Sequence, residues 1–165
     1  MKALFGVFLM IPLAILLTWR IVCSVSFSMD CAGYLKRSAD ANTIEMAQTQ
    51  LNIAIKYLEE HNLTTGYCSI FLKQPKNDIG FWYNNLKASA KELASIPPTA
   101  SQLEKTNVLM KLRETLLDQG ESTTITGPDG ISIYPENKLF FWLCITFLFL
   151  AIVGSFLIVG FIEGW

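Results

Sequence analysis

The run from Leu139 to Ile162 is the feature that most limits how this chain can fold. Its 24 residues include no charged residue, no proline and no side-chain amide. As an α-helix the run is about 36 Å long, and the hydrocarbon core of a bilayer is about 30 Å thick. We therefore predict a transmembrane helix over residues 139–162, followed by a short tail at 163–165.

A second apolar run, Leu4 to Trp19, follows Lys2 near the start of the chain. A short basic segment before an apolar run is typical of an export signal and also of an uncleaved membrane anchor. The small residues within Cys23–Ser28 would suit cleavage, whereas Arg20 lies where a cleavage region is usually uncharged. We favour the anchor and predict a transmembrane signal-anchor helix over residues 1–28.

Three side chains mark the expected membrane surface: Trp19, Arg20 and Lys138. An indole ring favours headgroup depth, and Arg and Lys extend their charged ends towards water from the edge of the lipid. We interpret these residues as interfacial anchors. The alternative for Arg20 is an intramembrane charge that pairs with an acid of a partner, and it requires the span to continue through Ile21–Phe27.

The segment between the two spans, residues 29–138, has the composition of one small domain. It holds 11 of the 13 Lys and Arg and 13 of the 14 Asp and Glu, so its net charge is −2. Both signs are mixed along the segment, which gives no basic stripe for nucleic acid and no acidic tail. We therefore expect no nucleic-acid partner.

Hydrophobic residues recur at spacings of three and four in the first part of this domain, as on the packed face of an α-helix. They are Ile44, Ala47, Leu51, Ala54 and Leu58. We expect one amphipathic helix from Cys31 to His61, with Gly33 as one place where it would break.

Local signals predict the rest of the domain. Asn77 or Asp78 can cap a second helix, and Ser101 has the spacing of a capping box that starts a third. β-prone residues predict a short strand at Tyr67–Leu72 and a hairpin at 122–135. The expected fold class is thus a mainly α membrane protein, with two transmembrane helices flanking a small α(+β) domain of about three helices plus a β-hairpin.

Cys31 and Cys68 are the two cysteines of the polar segment. A disulfide needs Cα atoms within about 7 Å of each other. A single helix from Cys31 to His61 would be about 45 Å long, and the chain from His61 to Cys68 spans at most about 25 Å. We therefore expect no bridge unless that helix breaks or folds back, and cysteine usage leaves the compartment open.

The sequence carries no recognisable catalytic or metal-binding pattern. His61 is the only histidine, and it lies at a predicted helix end beside Glu59 and Glu60. A protonated imidazole stabilises the C-terminal end of a helix, which is sufficient to explain it. No zinc spacing, phosphate-binding loop or EF-hand loop is present. We expect no catalytic residue, metal or cofactor.

Small residues in the second span indicate a helix–helix contact, because they allow backbones to approach closely. They are Ala151, Gly154, Ser155 and Gly160. Their partner is either the first span or a different protein. We therefore expect membrane lipid and other membrane subunits, or self-association, as partners.

Our leading hypothesis is a non-catalytic accessory or scaffold subunit of a membrane complex. It follows from the lack of a catalytic pattern, the short tail and the small residues of the second span. The alternative is a ligand-sensing membrane protein that signals through a partner, because three residues after Ile162 do not form an output domain. Nothing in the sequence favours an enzyme.

The sequence gives two conflicting signals about orientation. Basic residues near the spans, namely Arg20, Lys36, Arg37 and Lys138 against Lys2, would place the domain in the cytoplasm. However, a connection of 110 residues is too long for that rule to be reliable, and an export-like first segment usually keeps its basic end inside. We favour a two-pass protein with an extracytoplasmic domain.

Overall fold

A computed structural model describes residues 2–118 and 124–162, with side chains from residue 4 and up to residue 160. This part of the chain is mainly helical and has one two-stranded antiparallel sheet. The predicted tail and residues 122 and 123 of the predicted hairpin lie outside it. The helices are α1 (Lys2–Phe27), α2 (Gly33–Ala39), α3 (Ile44–Glu60), α4 (Ile79–Ser95), α5 (Gln102–Leu116) and α6 (Asn137–Ile162).

The first two helices form one continuous rod. A π turn at Ser28–Ala32 joins α1 to α2, and Leu4–Ala39 is a single helix of 36 residues. Its length is about 54 Å, which exceeds the thickness of a hydrocarbon core. The helix therefore passes through residue 28, where the sequence predicted the boundary between anchor and domain.

The predicted single helix from Cys31 to His61 is wrong. α2 ends at Ala39, and α3 begins at Ile44 after a turn rich in residues that favour turns and caps. The Thr43 hydroxyl caps α3 by accepting a hydrogen bond from the Met46 N–H at 3.2 Å. The buried Ser38 hydroxyl donates to the Ala47 carbonyl at 2.8 Å, which holds α3 against α2.

Helices α2 to α5 pack as a four-helix bundle, which we call the head together with its loops (residues 29–118 and 124–136). α2 and α4 each pack against both α3 and α5. The head has four helices instead of about three because the first expected helix divides after Ala39. Its largest fully buried side chains are Leu35, Leu51, Leu58, Ile79, Leu86, Leu93 and Leu116. All five residues of the predicted stripe on α3 are buried, so that prediction is confirmed.

The predicted starts of the next two helices are also confirmed. The Asp78 carboxylate accepts a hydrogen bond from the Phe81 N–H at 3.0 Å, and α4 follows it. The Ser101 hydroxyl accepts one from the Glu104 N–H at 3.2 Å, and α5 follows it. Each cap satisfies an amide group that the first turn of a helix leaves without a partner.

The predicted hairpin at 122–135 is wrong in its pairing. β1 (Leu117–Asp118) pairs with β2 (Thr124–Ile125), and Ile131–Ile133 forms a 3₁₀ turn instead of a second strand. The reason is competition from the head: the Thr126 N–H donates to the Leu116 carbonyl at 2.8 Å, which fixes β2 beside the end of α5. The predicted strand at Tyr67–Leu72 is reduced to one bridge between Tyr67 and Asp78.

Cys31 and Cys68 are free, buried thiols. The expectation that they stay apart used a helix that does not exist, so its geometric premise was incorrect. Burial raises the pKa of the Cys31 thiol to about 12, and burial together with the charge of Asp129 does the same for Cys68. Both thiols are therefore protonated at neutral pH and are poor nucleophiles.

Candidate membrane interface

The two long apolar helices, α1 and α6, pack against each other. By length and composition both are long and apolar enough to cross a membrane. Of the residues in the most apolar 18-residue stretch of each helix, only 11% are buried within the protein. The core helix of a soluble protein is mostly buried, whereas here large side chains such as Phe149 and Phe156 are exposed.

The contact between α1 and α6 is closest at two glycines. A methyl group added to Gly6 would lie 2.6 Å from the Gly154 carbonyl oxygen, and one added to Gly154 would lie 2.6 Å from the Gly6 carbonyl oxygen. Ala151, one turn away on α6, is also buried, at 6% exposure. The two backbones therefore touch, and no larger side chain fits between them.

The four predicted helix-packing residues divide into two pairs. Ala151 and Gly154 are buried, and Gly154 contacts Gly6 on α1. Ser155 is exposed and donates its hydroxyl to the Ala151 carbonyl at 2.9 Å. A methyl group added to Gly160 would meet none of the described residues within 4 Å. The sequence analysis missed Gly6, although a lone glycine within an apolar run was a usable signal.

Aromatic rings cluster at the end of the helix pair that adjoins the head. Trp19 lies 5.9 Å from Phe140, measured between ring centroids, so the predicted anchor of α1 contacts α6. Phe141 lies 5.5 Å from Trp142 and 5.1 Å from Phe71. Aromatic residues are enriched where membrane helices meet the headgroup region. We call Trp19, Phe71, Phe140, Phe141 and Trp142 the aromatic belt.

The two predicted basic anchors have different environments. The Arg20 guanidinium is half-buried and donates to the Ser132 hydroxyl at 3.2 Å, so it contacts the 3₁₀ turn of the head. Lys138 lies exposed on the first turn of α6. Trp19 thus contacts α6, Arg20 contacts the 3₁₀ turn, and Lys138 lies at the surface.

Asn137 joins the head to α6, and the sequence analysis missed it. Its side-chain amide donates to the Cys68 carbonyl at 3.0 Å and to the Gly130 carbonyl at 3.1 Å. The residue is only 6% exposed. Two loops of the head are therefore fixed to the first turn of α6. An asparagine at the start of an apolar helix was the only available signal, and it indicates a cap as readily as a bridge.

A charged network holds α3 against α4. One Glu59 carboxylate oxygen accepts from the Tyr83 hydroxyl at 2.6 Å and from the Lys87 ammonium at 3.0 Å. The hydrogen bond from Tyr83, and then that from Lys87, lowers the pKa of Glu59 below its ordinary value of 4.5. The same contact with Glu59 raises the pKa of Lys87. The network joins two helices and lines none of the grooves described below.

The head has a groove of about 420 Å³ beside Trp82. Its walls include Phe81, Trp82, Asn85, Thr126 and Pro128. The Trp82 indole donates to the Thr126 carbonyl at 2.6 Å, which fixes one wall. The mixture of aromatic and polar groups is suited to a small organic molecule.

In the described part of the chain, acidic, cysteine and histidine side chains do not converge on a metal site. Among residues 4–118 and 124–160, no group of three or more His, Cys, Asp or Glu side chains is placed to hold a metal ion. His61 follows α3, and its ring stacks on Tyr57 at 4.1 Å. Its Nδ1 atom lies 2.9 Å from the Tyr57 carbonyl oxygen.

Comparisons with protein families, curated proteins and solved structures gave no match to this chain.

Proposed function

We propose that α1 and α6 both cross a membrane and that residues 29–138 form a domain on one side of it. Three features support this arrangement. Most of the apolar surface of both helices is exposed, and their contact is made by small residues such as Gly6 and Gly154. The aromatic belt lies where the helix pair meets the head, at the level expected for headgroups.

Within this arrangement we propose a non-catalytic accessory or scaffold subunit of a larger membrane complex. The observation that carries this proposal is the continuous helix Leu4–Ala39. Its first part contacts α6 through Gly6, and its last part contributes Cys31 and Leu35 to the core of the head. The position of the head relative to the spans is therefore fixed, which is what a scaffold requires.

Two uncovered surfaces support contact with other proteins. In the membrane region, Ser155 is exposed, and a methyl group added to Gly160 would meet none of the described side chains within 4 Å. On the head, Leu103 and Met110 are exposed and lie two turns apart on one face of α5. We propose that a partner subunit, or a second copy of this chain, packs against α6, and that the head provides a further contact.

Carbonate extraction tests the two spans. The intact chain should stay in the membrane pellet, because about 36 Å of apolar helix is not released by high pH. Recovery in the aqueous fraction would contradict the proposal. An introduced cysteine tests the side on which the head lies.

Cys68 is unsuitable for labelling from solution because it is only 3% exposed. Thr99, in the turn between α4 and α5, is exposed and makes a better site. We propose an extracytoplasmic head, so Thr99→Cys should react with an impermeant maleimide in intact cells. The unsubstituted chain gives the background. Reaction only after permeabilisation would place the head in the cytoplasm.

Photo-crosslinking tests the scaffold proposal. A photoreactive side chain at Ser155 should give a product of higher mass, because this side chain is exposed beside the contact with α1. The matched control is Leu9, whose Cβ atom is 3.3 Å from a methyl group added to Gly154 and which should crosslink within the chain. Monomer alone from Ser155, Gly160 and Met110 in mild detergent would contradict the proposal.

The second candidate is a ligand sensor, and the groove beside Trp82 favours it. A molecule bound there would contact α4 and the segment after β2, which leads towards Arg20 and α6. A small-molecule screen should then raise the melting temperature of the full chain in detergent. The substitution Phe81→Ala should abolish that increase, and Leu103→Ala, outside the groove, should not. A screen without any stabilising compound would count against this function.

A further inference from the structure

The loop at residues 69–73, which we call the Phe71 loop, exposes two large apolar side chains side by side. Phe71 is 70% exposed and Leu72 is 72% exposed. Exposure of adjacent large apolar side chains in water is unfavourable, and such patches usually mark a binding surface. The position of the loop indicates what it binds.

The Phe71 loop lies against the beginning of α6. The Phe71 ring meets the Phe141 ring edge-on, with 5.1 Å between centroids. Phe141 is four residues after Asn137, or about 6 Å along the helix axis. Asn137 also holds the carbonyl of Cys68, the residue before the loop. The loop is therefore fixed at the depth of the first turns of the proposed span.

A groove of about 550 Å³ lies beside the Phe71–Phe141 contact, between this loop, residues 129–133 and the start of α6. Most of its exposed surface is apolar, although Ser69, Asp129 and Asn137 also line it; its apolar residues are Ile70, Phe71, Ile133, Phe140, Phe141 and Cys144. Four of these apolar residues belong to the loop or to the aromatic belt, so the surface of the groove continues the exposed apolar surface of α6. A hydrocarbon chain matches this apolar part of the lining.

Basic residues flank the apolar tip. The Lys73 ammonium lies 5.3 Å from the centre of the Tyr67 ring, and Lys138 is exposed on α6. Lysine beside apolar residues is typical of segments that lie in the membrane interface. Lys76 is paired with Asp129 at 3.5 Å, which reduces its attraction for anionic headgroups. Burial of apolar surface, more than charge, should therefore drive the contact.

We propose that the Phe71 loop inserts into the same bilayer that α1 and α6 cross, and that lipid acyl chains fill the groove beside it. The loop is then a third membrane contact that fixes the height and tilt of the head. This inference rests on the proposed membrane spans. It chooses lipid over a protein partner because Phe71 packs on an aromatic residue of the span itself.

Site-directed spin labelling tests the proposal. The full chain, with its four cysteines replaced by alanine, is reconstituted into phosphatidylcholine vesicles and labelled at Leu72→Cys. Leu103→Cys is the matched control, because Leu103 is also a leucine with 72% exposure but lies at the start of α5. Phe149→Cys, an exposed position on α6, is the lipid reference. Collision rates with oxygen and with a water-soluble nickel chelate report the surroundings of each label.

The label at Leu72 should show a several-fold higher ratio of oxygen to nickel collisions than the label at Leu103. The ratio should change little when anionic lipid is added. A water-like ratio at Leu72 beside a lipid-like ratio at Phe149 would overturn the loop proposal and leave the spans intact. Water-like ratios at both positions would overturn the spans as well. An immobilised label at Leu72 that neither reagent reaches would indicate a protein contact and would also overturn the proposal.

Discussion

The head and the α1–α6 pair differ in which side chains make their internal contacts. The core of the head is made mainly of leucine side chains, and Leu51 and Leu86 are at most 1% exposed. In the helix pair, Gly6 meets Gly154, both are buried together with Leu16 and Ala151, and Phe156 is 74% exposed. Water drives large apolar groups together, whereas close contact between small residues is typical of helices that pack in hydrocarbon.

The burial of apolar side chains differs between the two parts of one continuous helix. Val25, near the end of α1, is 49% exposed, and Cys31, six residues later, is completely buried. One continuous helix therefore contributes both to the exposed apolar surface and to the core of the head. This difference teaches that burial and composition must be considered together, because neither alone separates a core helix from a spanning one.

The largest effect should come from core truncation. Leu51→Ala removes a buried side chain from the centre of the head and should lower the free energy of unfolding by about 3 kcal/mol. Leu148→Ala, at a position 51% exposed on α6, leaves no cavity of this kind and should cost much less. Unfolding of both variants in detergent, followed by circular dichroism, measures the difference. Equal losses would show that the two regions are not packed differently.

A large residue at the glycine contact should separate the helix pair without unfolding the head. Gly154→Leu places a side chain where even a methyl group is too close, at an expected cost of about 2 kcal/mol. Gly160→Leu has space for the same change among the described residues. A bifunctional thiol reagent that links Trp19→Cys to Phe140→Cys, in a chain without other cysteines, reports the contact. Linking should fall for Gly154→Leu only, and an equal yield in both would contradict the contact.

Loss of a hydroxyl group should lower the stability of the protein more in the head than in the helix pair. Thr43→Ala removes the cap of α3 and should cost about 1 kcal/mol. Thr146 donates only to the Trp142 carbonyl, four residues earlier on the same helix. Thr146→Val should therefore be nearly neutral, because that carbonyl keeps its helical hydrogen bond. Melting temperatures in one detergent compare the two, and a larger loss for Thr146→Val would reverse the comparison.

The smallest effect should be a dependence on pH that is confined to the head. The lowered pKa of Glu59 means that its contacts add stability above pH 4.5 and lose it as the pH falls through the pKa of the folded state. The raised pKa of Lys87 has the opposite consequence. Its contribution to stability is present below the ordinary pKa of 10.5 and is lost as the pH rises through the higher pKa of the folded state. Glu59→Gln should therefore melt with less sensitivity to acid than the unsubstituted chain.

Glu60→Gln is the matched control for this experiment. Glu60 pairs with Lys56 at 3.6 Å on the surface of α3 and joins no second helix. The acid dependence of its melting temperature should match that of the unsubstituted chain. If Glu59→Gln and Glu60→Gln behave alike, the network between α3 and α4 does not contribute to stability.

Much of the helical pattern could be predicted because it depends on local chemistry. The stripe from Ile44 to Leu58, the cap at Asp78 and the length of residues 139–162 are all visible in neighbouring residues. The break after Ala39 was missed because the predicted stripe begins only at Ile44 and no glycine or proline marks the turn at residues 40–43. The hairpin was misplaced because the partner of Thr124–Ile125 lies at the end of α5.

The interface was harder to predict because it depends on contacts between distant residues. Trp19, Arg20 and Lys138 follow from their place beside apolar runs. The pairing of Gly6 with Gly154, and that of Phe71 with Phe141, depend on how α1, α6 and the loops are arranged. No local pattern specifies these partners, so the sequence identified candidates for contact without showing which of them meet.

The π turn at Ser28–Ala32 sets the rotation of the head about the rod that carries it. One extra residue in a helical turn rotates every later side chain by about 100° around the axis. The π turn therefore changes the angle between two faces of this helix, the face that meets α6 and the face that meets α3 and α5, from its value in a regular α-helix. A one-residue deletion here would leave both ends of the helix intact and rotate the bundle by about 100° around the helix axis, relative to α6.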